Sequence, residues 1–141
     1  MDTTPPDGFE LLELGAGFME VFGPIYLNRV TSTLGFRVAA QHLNPVNVCN
    51  GGAMATFADT QIAAVHRGAG SSAGHAPTIS LSLDYIGTAP NGAWVEAAVT
   101  LLKQTRSMIF TQALITTEGQ LVARSNAIYR HYTASAGTRK A

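Results

Sequence analysis

Asn44-Pro45-Val46-Asn47-Val48-Cys49-Asn50-Gly51-Gly52-Ala53-Met54-Ala55-Thr56-Phe57-Ala58-Asp59-Thr60-Gln61-Ile62-Ala63-Ala64-Val65 is the stretch whose reading decides the fold. Small and apolar side chains dominate from Ala53 onward, and Asp59 is the one charged residue between Val46 and Val65. The pattern predicts a mostly buried helix, N-capped by Asn50 and running to about Arg67. A carboxylate in such surroundings is costly unless it is paired, hydrogen-bonded or used. Gly51-Gly52 leaves backbone N–H groups bare at the start of the same helix, where a negative oxygen is favoured. An acid on the flank and an anion hole at the tip suggest acyl chemistry; the glycines could also simply start a tightly packed helix.

Helical spacing places Gly52, Ala55, Thr56, Asp59 and Ala63 on one face and Met54, Phe57, Ala58, Ile62 and Val65 mainly on the other, assigned to a sheet. Asp59 reads either as a general base or nucleophile toward an acyl carbon, or as a buried carboxylate bonded to a neighbouring strand. At 1.5 Å rise per residue Asp59 lies roughly 10 Å along the axis from Gly52. An attacking oxygen must come within about 3–3.5 Å of the carbonyl carbon, whose oxygen sits about 3 Å from its donors. One copy of the helix cannot easily do both jobs. Two antiparallel copies can, which points to a dimer with shared sites.

Outward from the helix the signals are mostly those of strands. Residues 1–8 form a Pro-rich arm, and Phe9 to Phe18 reads as a short helix interrupted near Gly15 and Gly17. Ile25 to Val30 and Leu34 to Ala40 read as strands, with Gly35 a candidate bulge. After a Gly/Ser-rich connector, 68–74, come Thr78 to Tyr85, Trp94 to Lys103, Met108 to Thr116 and Leu121 to Tyr132, read as a four-strand meander. The expectation is an α+β domain over 9–133, followed by a loose tail, 134–141. One long helix is wrapped by a curved, mainly antiparallel sheet of about six strands, with an N-terminal helical segment. A helix apolar nearly all round needs its outer face covered by loops or a second chain.

Composition narrows the function. Nine basic and nine acidic residues balance among 141. That argues against a nucleic-acid or anionic-membrane surface. The lone Cys49 excludes an internal disulfide, and four histidines without HxxxH or HExxH spacing argue against a metal site. No apolar run is long enough for a bilayer and residues 1–6 do not resemble a signal peptide, so a cytoplasmic setting is expected. Cys49 reads as a small packing residue rather than a nucleophile. Lys103, Arg106 and Ser107 at a tight turn would suit a phosphate, or would simply solubilise a hairpin. Asn44 and Asn50 could hydrogen-bond a thioester or water, or could merely stabilise the loop and cap the helix. Thr78 could be no more than a β-former.

His42-Leu43-Asn44-Pro45-Val46-Asn47-Val48-Cys49-Asn50-Gly51-Gly52, followed by Ala55-Thr56-Phe57-Ala58-Asp59, resembles the helix-start motif of hotdog-fold acyl-CoA thioesterases. The similarity is to the phenylacetate-pathway-type branch of the 4-hydroxybenzoyl-CoA thioesterase superfamily, and covers roughly residues 20–132. That motif has an Asn, a His-Gly-Gly six residues later and an Asp nine residues after the His; Asn44, Asn50-Gly51-Gly52 and Asp59 keep every interval. The resemblance implies hydrolysis of a small or medium-chain or aryl acyl-CoA by a homodimer or dimer of dimers, coenzyme A being part of the substrate and no other cofactor being needed. Asp59 would be general base or nucleophile across the interface, and the Gly52 amide, beside Gly51, would polarise the carbonyl. Asn44 would orient the thioester, Thr78 would position water, and Tyr85 with the turn bearing Lys103, Arg106 and Ser107 would contact coenzyme A. The chain departs from the family at Asn50, which stands where a His is usual and cannot shuttle a proton near neutral pH. That substitution keeps open a non-catalytic acyl-CoA binding module. An acyl-thioester hydratase is the further alternative, though such enzymes usually pair a His with the carboxylate.

Overall fold

A computed structural model of the chain describes residues 2–65 and 76–132. The helix-end positions His66 and Arg67, the 68–74 connector, His75, Thr133 and the tail from 134 lie outside the described residues. In chain order the elements are β1 (Glu10–Leu11), α1 (Phe18–Phe22), β2 (Tyr26–Asn28), β3 (Thr33–Arg37), α2 (Gly51–Ala58), α3 (Ile62–Val65), β4 (Thr78–Tyr85), β5 (Trp94–Gln104), β6 (Met108–Thr117) and β7 (Gln120–Arg130). The strands form one antiparallel sheet of seven in the order β1-β2-β3-β5-β6-β7-β4.

This order corrects the meander. β5, β6 and β7 are hairpin neighbours, but β4 pairs with β7 at the far edge and β5 pairs with β3. The chain leaves β3, crosses the concave face as helix, and emerges at the opposite edge. It returns through 86–93, where Ala89 is buried and its carbonyl accepts the Cys49 N–H at 2.8 Å. Sequence adjacency suggested a hairpin because residues 87–92 look like a turn. They are a crossover.

Two further expectations change. Phe9 to Phe18 is not helical: Glu10 and Leu11 pair with Leu27 and Tyr26, and the helix starts only at Phe18. Gly15 and Gly17 hold φ of 82° and 93°, left-handed values that a continuous helix cannot contain. Gly35 is not a bulge, since the β2–β3 and β3–β5 registers run through it unbroken. It is there because the Trp94 indole lies against the backbone where a β-carbon would stand.

The core follows from strand alternation. Val95, Ala97 and Val99 on β5, Ile109, Thr111, Ala113 and Ile115 on β6, and Ala123, Ser125, Ala127 and Tyr129 on β7 all point inward and are buried. Met54, Phe57 and Ala58 bury the opposing helix face, with Phe57 against Phe36 at a ring separation of 4.6 Å. Ile62 and Val65 are only partly buried.

The long helix is broken at Asp59-Thr60-Gln61. The Thr60 and Gln61 N–H groups bond three residues back, to Phe57 and Ala58, and their side chains donate to the same two carbonyls at 2.7 and 3.0 Å. Side chains competing for helix carbonyls are a common cause of such a bend. Gln61 is wholly buried; its Nε2 also donates to Ser125 Oγ, its Oε1 accepts from Thr111 Oγ1 at 2.8 Å, and Ser125 Oγ donates on to Ser82 O. The bend is thereby tied to β6, β7 and β4 together.

Gln61→Leu should lower stability by about 2–3 kcal/mol in urea melts, because it removes three buried hydrogen bonds and leaves the buried Thr111 hydroxyl without its acceptor. Adding Thr111→Val should recover part of that loss. A double mutant no more stable than Gln61→Leu alone would contradict the network.

Candidate functional site

Asp59 ends α2 as its C-cap and is half-buried. Its Oδ1 accepts the Thr78 hydroxyl at 2.8 Å, and its main-chain carbonyl accepts the Tyr129 hydroxyl at 2.8 Å. Burial raises the Asp59 carboxyl above the ordinary carboxylate range, while hydrogen bonds from Thr78 and Tyr129 pull it partly back. Tyr129 is itself pushed strongly upward, chiefly by burial and then by the neighbouring Asp59 charge, so it stays a neutral donor. The two ion pairs among the described residues are Arg29–Glu10 and Arg124–Asp84, so no ion pair there holds Asp59. Its carboxylate borders a cavity of ≈ 440 Å³ between the helix and the N-terminal segment.

The helix tip lies at the other end of α2. Asn50 caps it, its Oδ1 accepting the Gly52 N–H at 2.6 Å. The Gly52 donor is therefore not bare, contrary to the sequence reading; the cap itself covers it. Tyr85 donates to the Gly51 carbonyl at 2.6 Å and lies beside Gly51, which leaves little room for a side chain there. Asn44 closes the preceding loop, its Oδ1 accepting the Val46 and Val48 N–H groups at 3.0 and 3.2 Å while Asn47 takes φ 65°. A second cavity of ≈ 400 Å³ borders Asn50 and Gly52, and both cavities touch Phe18 and Thr56.

The remaining candidates sort by strand register. Gln104 pairs with Ile109, Ile109 with Tyr129, and Tyr129 with Thr78, so the turn carrying Lys103, Arg106 and Ser107 lies at the Thr78 end of the sheet. All three turn residues are exposed. Tyr85 ends the same eight-residue strand that Thr78 begins, roughly 23 Å away at 3.3 Å per residue. The proposed residues therefore fall into two groups. Asp59, Thr78 and the hairpin turn occupy one end; Asn44, Asn50, Gly51, Gly52 and Tyr85 occupy the other.

Cys49 and His42 stand outside the chemistry. Burial pushes the Cys49 thiol up to about 11, away from a reactive thiolate. His42 is buried; its Nδ1 accepts the Ala39 N–H at 2.9 Å and its Nε2–H donates to the Phe22 carbonyl at 2.7 Å. Burial lowers its pKa, so it serves as a neutral clasp on the end of α1. Among the described residues no three metal-ligating side chains gather in one place. Tyr129 and Gln61 were not singled out from the sequence. The inward row Ala123, Ser125, Ala127, Tyr129 was the available clue to the first, and a glutamine amid apolar helix residues to the second.

Comparison with known proteins bears on the fold and the family. A protein of Pseudomonas aeruginosa provisionally named an esterase (PA0474) is 24% identical over 127 residues, spanning 88% of this chain and 95% of its own. A point variant of the phenylacetic acid degradation protein PaaI from Thermus thermophilus superposes with TM-score 0.62 at 23% identity, over 88% of this chain and 93% of that one. A Streptococcus mutans protein solved with acetyl-CoA bound superposes with TM-score 0.63 at 16% identity, over 89% of each chain. These structural likenesses establish the hotdog fold. Residues 46–123, which hold the capped helix start, Asp59, Thr78 and the β5–β6 hairpin, match the model of the Thioesterase superfamily, and the chain belongs to that superfamily.

Proposed function

We propose that the chain hydrolyses an acyl-CoA thioester to the free acid and coenzyme A, at sites completed by a second copy of itself. The observation that carries this reading is the division of the site residues between opposite ends of α2 and β4. A carboxylate at one end and peptide donors at the other can meet on one thioester when two copies lie antiparallel. β4 suits such pairing, because it is an edge strand with Ile79 and Tyr85 more than half exposed, at 52% and 56%. The acetyl-CoA held by the Streptococcus mutans relative supports a coenzyme A thioester as ligand here.

Thr78 engages Oδ1 of Asp59 and orients the carboxylate, which leaves Oδ2 to act. In the general-base route Oδ2 takes a proton from water as the water oxygen attacks the thioester carbon. The C–S bond then breaks and the coenzyme A sulfur leaves as a thiol once protonated. In the nucleophilic route Oδ2 attacks that carbon directly, the C–S bond breaks to release the coenzyme A thiolate, and water then cleaves the resulting anhydride to the free acid and the Asp59 carboxylate. In both, the oxyanion needs the partner's helix-tip N–H, so the carboxamide oxygen of Asn50 must turn away from Gly52. That capped donor is also the one observation favouring a second reading, an acyl-CoA binding module without turnover.

Asp59→Asn should cut kcat by about 10²–10⁴ while retaining affinity for a non-hydrolysable acyl-CoA. The raised Asp59 pKa implies that the folded chain favours the protonated form, so the ionised carboxylate costs stability at neutral pH. The Tm of Asp59→Asn should therefore exceed that of the wild type at pH 7, with the difference shrinking as pH falls through the raised Asp59 pKa and gone once pH is below the ordinary carboxylate range. The acid limb of wild-type kcat/KM should lie above the ordinary carboxylate range, because the active form is ionised; a limb at or below that range would contradict this.

Asn50→Asp keeps a good cap but sets a negative charge on the oxyanion donor. Activity should fall by about 10²-fold or more with Tm unchanged or higher. Unchanged turnover would exclude the Gly52 amide from the reaction.

Neither Asp59→Asn nor Gly52→Trp subunits should turn over substrate alone, whereas verified heterodimers of the two should regain activity at one of their two sites. Inactive heterodimers would rule out the shared site.

A further inference from the structure

Tyr85 reaches the helix tip through a carbonyl, and that carbonyl shares a peptide unit with the Gly52 donor. The Tyr85 hydroxyl donates to the Gly51 oxygen at 2.6 Å. On the other side of the same peptide, the Gly52 N–H donates to Asn50 Oδ1, also at 2.6 Å. A trans peptide is planar and points its C=O and N–H in opposite directions, so the two bonds run in series through one conjugated group. Each polarises the next: a donor on the carbonyl oxygen draws electron density from the nitrogen and leaves its N–H a stronger donor.

The hydroxyl is held in place from two sides. Tyr85 pairs with Ala123 at the end of β4, and the Ile86 and Gly87 N–H groups both donate to the Val122 carbonyl, at 2.9 and 3.0 Å. The loop entering α2 is fixed by the Cys49 N–H on the Ala89 carbonyl at 2.8 Å and the Asn50 N–H on the His42 carbonyl at 2.7 Å. Gly51 permits the approach, because a β-carbon there would stand 3.4 Å from the Tyr85 hydroxyl oxygen and the ring carbon that bears it.

We infer that Tyr85 is a positioning residue for the oxyanion, acting through the Gly51–Gly52 peptide: its hydroxyl orients and polarises the Gly52 N–H. This rests on the thioesterase reading, in which that N–H serves the reaction. A charged oxyanion gains more from a polarised donor than the neutral Asn50 carboxamide does, so the benefit falls on the transition state rather than on the resting cap. A hydroxyl that held coenzyme A directly would act on KM instead.

The test replaces Tyr85 by Phe and, through suppression of a stop codon, by 3-fluorotyrosine, which keeps the ring and donates a stronger hydrogen bond. Thiol release is followed with acetyl-, hexanoyl- and phenylacetyl-CoA at mildly acidic pH, where the fluorinated phenol keeps its proton. On the best substrate Tyr85→Phe should lower kcat by about two- to tenfold with KM held within about twofold, because the donor is weakened rather than removed. The kcat values should rise in the order Phe, Tyr, 3-fluorotyrosine. In amide NMR spectra of the unliganded protein the Gly52 proton should move upfield in Tyr85→Phe and downfield with 3-fluorotyrosine. Unchanged kcat, a raised KM alone, or a Gly52 proton that does not follow this order would overturn the inference. If no thioester is cleaved, the hydrolase reading fails, and the Gly52 shifts separately decide whether the hydroxyl polarises that peptide. Both variants keep the ring and should fold, which a thermal melt checks.

Discussion

A single buried glutamine governs where the chemistry of this protein can occur. Gln61 interrupts the helix by taking back a carbonyl, and its remaining donor and its acceptor are spent on Ser125 and Thr111. An unpaired amide in that position would cost about 1–3 kcal/mol, a sizeable fraction of a small domain's net stability. The helix must therefore end where β6 and β7 can satisfy Gln61. Asp59, two residues earlier, is then fixed at the bend beside Thr78 and Tyr129. The register of β4 on β7, with Thr78 opposite Tyr129, is what brings those two side chains to the same residue.

The bend leaves Asp59 half out of water with hydroxyls, rather than cations, for company among the described residues. A cation at that distance would drive the carboxyl pKa down and consume its basicity; here burial raises it, and the two neutral donors pull it back only in part. The carboxylate is costly to the fold and useful to a base, a conflict common at functional sites. Its surroundings fit a proton acceptor better than an anchor.

The helix tip carries the opposite tension. A helix that starts at two glycines has weak intrinsic propensity and gains from a cap. Asn50 supplies one, and in doing so covers the Gly52 amide, the donor proposed for the oxyanion. A histidine in its place would project a different acceptor geometry and could carry charge; asparagine stays neutral and compact. Start-of-helix stability and donor availability thus depend on the same side chain, and its rotation connects them.

Much of this is legible in the sequence. The apolar helix, its asparagine cap, the isolated Asp59 and three of the four later strands fall close to their expected places because they rest on local periodicity and local hydrogen bonding. β4 was expected within its observed bounds, Thr78–Tyr85, but beside the wrong neighbour. Pairing across the sheet is a long-range choice, set by where a helix can lie on a twisted surface, and 87–92 looks the same whether it turns back or crosses over. The N-terminal segment misled because Phe9 to Phe18 has helical apolar spacing, yet the strand edge at β2 offers Glu10 and Leu11 better partners than solvent does. Composition alone marked Asp59 as costly to bury. Only the assembled sheet decided what surrounds it, since Thr78 and Tyr129 reach the bend from 19 and 70 residues away in sequence, a separation that carries no local signal.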